Sequence, residues 1–155
     1  MTLKDIKFKI IGHLMRLRWR IVKPFSIGVR AIIINDKNQV LLVKHTYANS
    51  WFLPGGGVDK KEHLLDALAR EMKEELGLEI RGDVALLGTY GNFFEHKSDY
   101  TSVFVVKAFE IAPNKNAEIE KWAFFDFDGI PEATSMGTKK RLKEYRGEKN
   151  IDFRW

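Results

Sequence analysis

The stretch Pro54 to Leu78, PGGGVDKKEHLLDALAREMKEELGL, limits this chain more than any other. Three consecutive glycines let a backbone turn tightly and approach a ligand without side chains in between. Behind them the spacing predicts a helix over residues 62–76. Leu65, Leu68, Met72 and Leu76 fall on one arc, and Gly77 stands where helices commonly stop. Glu71, Glu74 and Glu75 share a second arc of about 100° directly beside the apolar one. Such a helix must bury one side while aiming carboxylates along the edge of the core.

A run of glutamates is normally a solvated face, but here the neighbours argue otherwise. A charge-stabilised surface helix places Lys or Arg four residues after each Glu. Glu71 is followed at that distance by Glu75, Glu74 by Leu78 and Glu75 by Glu79, while Arg70 reaches Glu74 only in the less favourable order. Each like-charge pair costs roughly a few tenths of a kcal/mol unless a cation relieves it. Carboxylates in a chain without cysteine select a hard ion, Mg²⁺ or Mn²⁺. Mg²⁺ keeps several waters and is usually held by one or two carboxylates together with substrate phosphates, which points to a catalytic phosphate site. An EF-hand is disfavoured because the ligands sit on a helix. The glycines lack the Gly-Lys-Ser/Thr ending of a nucleotide P-loop.

The spacing Gly56, five residues, Glu62, seven residues, then Arg70-Glu71-Met72-Lys73-Glu74-Glu75-Leu76-Gly77-Leu78 resembles the Nudix box at every specified position. A looser resemblance extends from about Val29 to Tyr145 and includes EIEKWAFFDFDGIPE near the end. It implies an α/β fold, a Nudix-type α/β/α sandwich with a mixed sheet. It also implies Mg²⁺-dependent hydrolysis of a nucleoside diphosphate linked to another moiety. On this likeness Glu71, Glu74 and Glu75 match metal-binding and water-activating carboxylates, and Gly56 offers its carbonyl to the metal. Glu62 and Arg70 resemble the pair that braces loop and helix. The general base is left open between Glu71 and Glu118 or Glu120, which arrive from the loop before Trp122. Lys61 stands where the family often has glycine.

Strands are expected on both sides of this unit. Phe25–Asp36 is β-branched and ends in the turn composition Asn35-Asp36-Lys37-Asn38, with Gln39–His45 as its hairpin partner. Val84–Phe94 reads as a strand with a bulge near Gly88 or Gly91, and Tyr100–Glu110 and Lys121–Phe127 as further strands. A basic helix is expected from about Thr134 to Tyr145. Alternating strands and helices suggest a mixed sheet with helices on its faces.

Composition adds two constraints. At 155 residues with 45% apolar content the chain suits one ordinary domain, here 25–155, preceded by a basic segment, 1–24. The absence of cysteine excludes disulfides and thiolate sites and fits a reducing, cytoplasmic compartment. Residues 1–24 carry seven bases against one acid, so the remainder of the chain is close to neutral. Leu3, Ile6, Ile10, Leu14, Leu17 and Ile21 recur at helical spacing, giving an N-terminal amphipathic helix. That helix could pack on its own domain or in a homodimer. It could also lie on an anionic membrane surface, placing the protein at the membrane periphery, or touch RNA.

Substrate recognition is less legible. Tyr47, Trp51, Phe93, Phe94 and Tyr100 are candidates to stack on a base. Lys44, His45 and His96 are candidates for phosphate contact. The first functional expectation is a pyrophosphohydrolase of a nucleotide-type small molecule. An RNA 5′-end pyrophosphohydrolase is the alternative enzyme, encouraged by the basic N-terminus and by KKRLK at Lys139–Lys143. A non-catalytic nucleotide-binding module would be marked by a lost box carboxylate, and none is lost.

Overall fold

The computed structural model describes residues 24–94, 97–112 and 116–155. The expected N-terminal helix and His96 lie outside the described residues. Among the described residues eight strands and two α-helices follow in chain order. These are β1 (Phe25–Ile33), β2 (Val40–His45), β3 (Trp51–Phe52), α1 (Leu64–Leu76), β4 (Leu78–Ile80), β5 (Val84–Phe94), β6 (Lys97–Val106), β7 (Phe109–Ile111), β8 (Ile119–Phe125) and α2 (Met136–Tyr145). Among the described residues no helix is long and apolar enough to cross a membrane.

The strands form three small sheets, ordered β1-β6-β5, β3-β2-β8 and β4-β7. Pairing is parallel between β1 and β6 and antiparallel in the other ladders. Two expectations change here. β1 and β2 do not form an extended hairpin. The Asn35–Asn38 turn forms, with Asn38 N–H bonded to the Asn35 carbonyl at 2.9 Å, but strand pairing across it stops at the Ile34–Val40 bridge. Beyond that bridge β1 takes β6 as partner and β2 takes β8, while the helices cover the apolar faces of the strands. The expected strand Tyr100–Glu110 is also two elements. β6 ends at Val106, and β7 leaves to pair with β4 after the exposed Lys107-Ala108 break. The expected bulge in β5 is present as a register shift between Leu86 and Gly88.

Alternation along β1 and β6 divides the core into two layers. Val29, Ala31, Ile33, Phe104 and Val106 pack with Ala67, Leu68, Met72 and Leu76 of α1. Ile32, Ile34, Val103 and Val105 face the other way, toward Leu142 of α2. The helices therefore cover opposite faces of the strands in an α/β/α sandwich, as period-two strands between two amphipathic helices require. α1 ends at Gly77, which adopts φ 62° and donates its N–H to the Lys73 carbonyl. α2 begins two residues later than expected because Ser135 caps it, its hydroxyl accepting from the Thr138 N–H at 3.2 Å.

Candidate active site

The glycine loop lies flat along β1. Ala31 N–H donates to the Pro54 carbonyl, Val29 N–H to the Gly56 carbonyl and Val58 N–H to the Ile27 carbonyl, each at 2.9 Å. The approach is too close for side chains. Gly55 adopts φ +130°, and a Cβ there would stand 2.2 Å from the Val29 carbonyl oxygen. A Cβ on Gly56 would meet the Glu71 carboxylate at 2.5 Å. Glycine is required at Gly55 by conformation and by backbone contact, whereas a side chain at Gly56 would displace the Glu71 carboxylate.

α1 delivers its acids to this loop in three different states. Glu75 is only 6% exposed and accepts the Gly55 N–H on Oε2 at 2.8 Å. Burial pushes its carboxyl up to about 7, against the opposing pull of the Gly55 N–H and the Arg30 charge. Glu71 lies against Gly56 and accepts from Arg70 Nη1 at 2.7 Å. Glu74 is the outermost, its side chain 58% exposed and 3.4 Å from Arg70 Nη1. The negative charge is thus partly compensated by the protein's own Arg70 and by Arg30.

Arg70 also meets the loop. Its Nε and Nη2 donate to the two oxygens of Glu62 at 2.8 and 2.9 Å, and Nη2 donates to the Gly57 carbonyl at 2.9 Å. Glu62 accepts a further bond from Asp59 N–H at 2.8 Å. The bidentate arginine, followed by that N–H, holds the Glu62 carboxyl at about 2. Lys61, just before it, adopts φ 65°, which accounts for the usual glycine there: the turn needs the left-handed region.

The two downstream acids diverge. Asn116 donates to the Glu74 carbonyl at 2.6 Å and accepts Glu118 N–H at 2.7 Å, so the loop bends over the end of α1. Glu118 is thereby close enough to raise the proton affinity of both Glu75 and His45. Glu120 points elsewhere and pairs with Lys44 at 3.0 Å. His45 is buried and stacks on Tyr47 at 5.0 Å, and burial and the Arg30 charge lower its proton affinity.

Beside the loop opens a cleft of about 470 Å³ whose lining includes Ser26, Arg30, Gly56, Asn92, Tyr100 and Trp155. Of the aromatic candidates, Tyr100 lines it. Phe93 packs edge-on against Tyr100 at 5.6 Å and is largely exposed, as is Phe94. Trp51 packs on Phe125 and lies under Lys121, away from the cleft. Of the basic run KKRLK, Arg141 is wholly buried and Lys139 donates to the Glu132 carbonyl, so the run is not a free cationic patch.

Arg30 is the functional candidate that sequence reasoning missed. It lines the cleft, and its charge acts on Glu75 and Glu71, yet in sequence it is one cation inside an apolar strand. Its place beside the glycine loop arises only from the packing of β1 along that loop, which no short-range pattern records.

The donor set fits a hard divalent cation. Glu71 and Glu75 flank the Gly56 backbone, Glu74 is open to solvent, and the Gly56 carbonyl retains a lone pair beyond its bond from Val29. Among the described residues no three His, Asp or Glu side chains are grouped to hold a metal ion, so the fit is one of donor type, oxygen throughout.

Comparison with known proteins agrees with this geometry. The NUDIX domain pattern matches residues 24–145. An RNA pyrophosphohydrolase from Ruthia magnifica subsp. Calyptogena magnifica is 52% identical over 54 residues, 35% of this chain and 30% of that protein. An RNA pyrophosphohydrolase from Tolumonas auensis is 31% identical over 109 residues, 70% of this chain and 60% of that protein. The crystal structure of a MutT NUDIX hydrolase from Burkholderia pseudomallei superposes with a TM-score of 0.69 at 28% identity, covering 77% of this chain and 97% of that one. The chain thus spans less than two thirds of the length of these curated relatives. With the box residues gathered at one loop and the domain pattern matching most of its length, the chain belongs to the Nudix family.

Proposed function

We propose that the protein is a divalent-cation-dependent hydrolase that cleaves the pyrophosphate bond of a nucleoside diphosphate linked to another moiety. The observation that carries this reading is the buried Glu75 bonded to Gly55 N–H beside Glu71 and Gly56. A carboxylate held in so little water, with one backbone donor and raised proton affinity, is matched to a cationic partner.

Glu71, Glu74, Glu75 and the Gly56 carbonyl would hold Mg²⁺ or Mn²⁺, which supplies charge neutralisation on the phosphates and acidifies water. The chain's own residues do the rest. Arg30, between the carboxylates and the cleft, binds a phosphate oxygen and orients it. Arg70 and Glu62 keep the loop and α1 in register, so that the Gly56 carbonyl stays at its distance from Glu71. A carboxylate takes the proton of the attacking water. Glu118 is the better placed of the two downstream acids, since Glu120 is engaged by Lys44, and Glu71 remains the candidate on the helix.

The test is a product-resolved screen with Mg²⁺, comparing wild type with Glu75→Gln. Its panel holds dNTPs, ADP-ribose, nucleotide sugars, dinucleoside polyphosphates and 5′-triphosphorylated RNA. Cleavage at a pyrophosphate bond that is lost in the variant supports the reading. No metal-dependent cleavage of any member refutes it.

A second reading rests on the relatives: both curated proteins above are RNA pyrophosphohydrolases. An RNA 5′ end as substrate predicts a steep fall in activity with added salt and competition by unrelated RNA. A small nucleotide predicts neither.

A further inference from the structure

The segment after α2 lies beyond the matched domain pattern, yet one of its residues, Trp155, lines the cleft. Gly91 N–H donates to the Phe153 carbonyl at 2.9 Å, and Trp155 N–H donates to the Gly91 carbonyl at 3.1 Å. These bonds clamp the segment along β5 immediately before Asn92, whose side chain lines the same cleft.

The segment is anchored from below as well. Arg141 is completely buried and donates through Nη1 to the Arg154 carbonyl at 2.9 Å and through Nη2 to Glu144 at 2.8 Å. Its guanidinium lies 3.7 Å from the centre of the Tyr90 ring and 5.7 Å from that of Trp155. A buried arginine is tolerated only with its partners in place, so the Arg154 carbonyl, and the tail that carries it, is part of that arrangement. Gly137 shows how closely the indole is seated: a Cβ there would stand 2.5 Å from Trp155 Nε1. The tail is fixed on three sides, and its partly exposed indole lines the cleft together with Tyr100.

We infer that Trp155 is a specificity-determining residue, whose indole, seated against Gly137 and near Arg141, contacts the nucleobase of the substrate in this cleft. The inference rests on the proposed function, because it needs a nucleotide whose phosphates lie at Gly56 and Arg30. A π face at a fixed position reads a base by its stacking surface, so purines gain more from it than pyrimidines.

The probes are the non-hydrolysable α,β-methylene diphosphates of adenosine, guanosine, cytidine and uridine, with base-free methylenediphosphonate as control. Each is titrated with Mg²⁺ into wild type, Trp155→Ala and Trp155→Phe, and thermal melts check the fold. Trp155→Ala should weaken the nucleotide probes by roughly five- to a hundredfold, most for the purines, as expected for loss of one base–aromatic contact. Methylenediphosphonate binding should be unchanged, and Trp155→Phe should recover most of the loss. Should Trp155→Ala fail to fold, Trp155→Leu, which keeps apolar bulk without a π face, carries the same test. Equal weakening of all five probes would overturn the inference in favour of a structural role, and no weakening would overturn it outright. Wild type that cleaves nucleotides but binds all probes equally defeats this inference alone. Wild type that binds none of the probes and cleaves nothing in the screen defeats both.

Discussion

Two buried glutamates, one at the inner end of each helix, are treated in opposite ways. Glu144 on α2 is 5% exposed, and each of its oxygens has a strong donor: Tyr90 Oη at 2.8 Å and Arg141 Nη2 at 2.8 Å. Glu75 on α1 is 6% exposed and takes a single backbone N–H, while the nearby Glu71 and Glu118 add repulsion. Burial and the bond to Glu144 also push the Tyr90 phenol well above its ordinary value, so the phenol keeps the proton it donates to Glu144 near neutrality. The contrast teaches what an under-compensated buried charge signifies. A carboxylate whose partners are complete holds the fold together, whereas one left short of partners is available to a ligand.

Exchanging the two glutamates for neutral residues should separate these roles. Glu75→Gln should lower turnover by about two to three orders of magnitude, the range for losing a group that acts on the reacting atoms, and leave the melting temperature unchanged or higher. Steady-state kinetics beside thermal melts check this; a destabilised Glu75→Gln would erase the contrast. Glu144→Ala should do the reverse. It strands the Arg141 charge and should cost roughly 3–5 kcal/mol, or about 6–20 °C in Tm, with kcat per folded molecule little changed.

Gly55→Ala sharpens the comparison from the loop's side. The added methyl would collide with the Val29 carbonyl, pulling the Gly55 N–H away from Glu75. About 2 kcal/mol of stability and most of the activity should be lost together, as denaturant melts and rate measurements would show.

The brace on α1 carries its own pH signature. Folded Glu62 releases its proton at about 2, well below the usual carboxylate range of the unfolded chain. Its contribution is therefore complete above about 4.5 and lost as pH falls toward 2. The stability difference between wild type and Glu62→Gln should shrink over that interval, and a difference constant in pH would rule out the ion pair as its source. The smallest effect belongs to Lys61. Relieving its positive φ with Lys61→Gly should raise stability by up to about 1 kcal/mol without touching catalysis, measurable as a higher denaturant midpoint.

α1 was legible because its information is local. Helical spacing placed Leu65, Leu68, Met72 and Leu76 on one side and the acids on another, and Gly77 marked the stop, although Leu65, in the first turn, is 52% exposed. The bulge at Gly88 and the basic α2 were legible for the same reason. Pairing between strands was not. The hairpin expected of β1 and β2 gave way to a parallel β1–β6 pair, a non-local choice of edge partner, since β6 lies some 70 residues further along the chain. Nor could spacing separate Glu118 from Glu120. Both precede Trp122, but Glu118 stands before β8 and Glu120 inside it, and the Asn116 contact with α1 and the Lys44 pair tell them apart.

The sequence by itself determined the donor chemistry: oxygen ligands without thiolates, glycines at the positions of closest approach, and a helix that presents its acids beside its apolar side. Those properties depend on residue type and on a periodicity of a few residues. Tertiary structure alone decided which acids are buried, that Arg30 joins them, and that Trp155 lines the cleft. Burial, electrostatic coupling and cleft shape are set by segments far apart in the chain, and short-range pattern carries no record of their meeting.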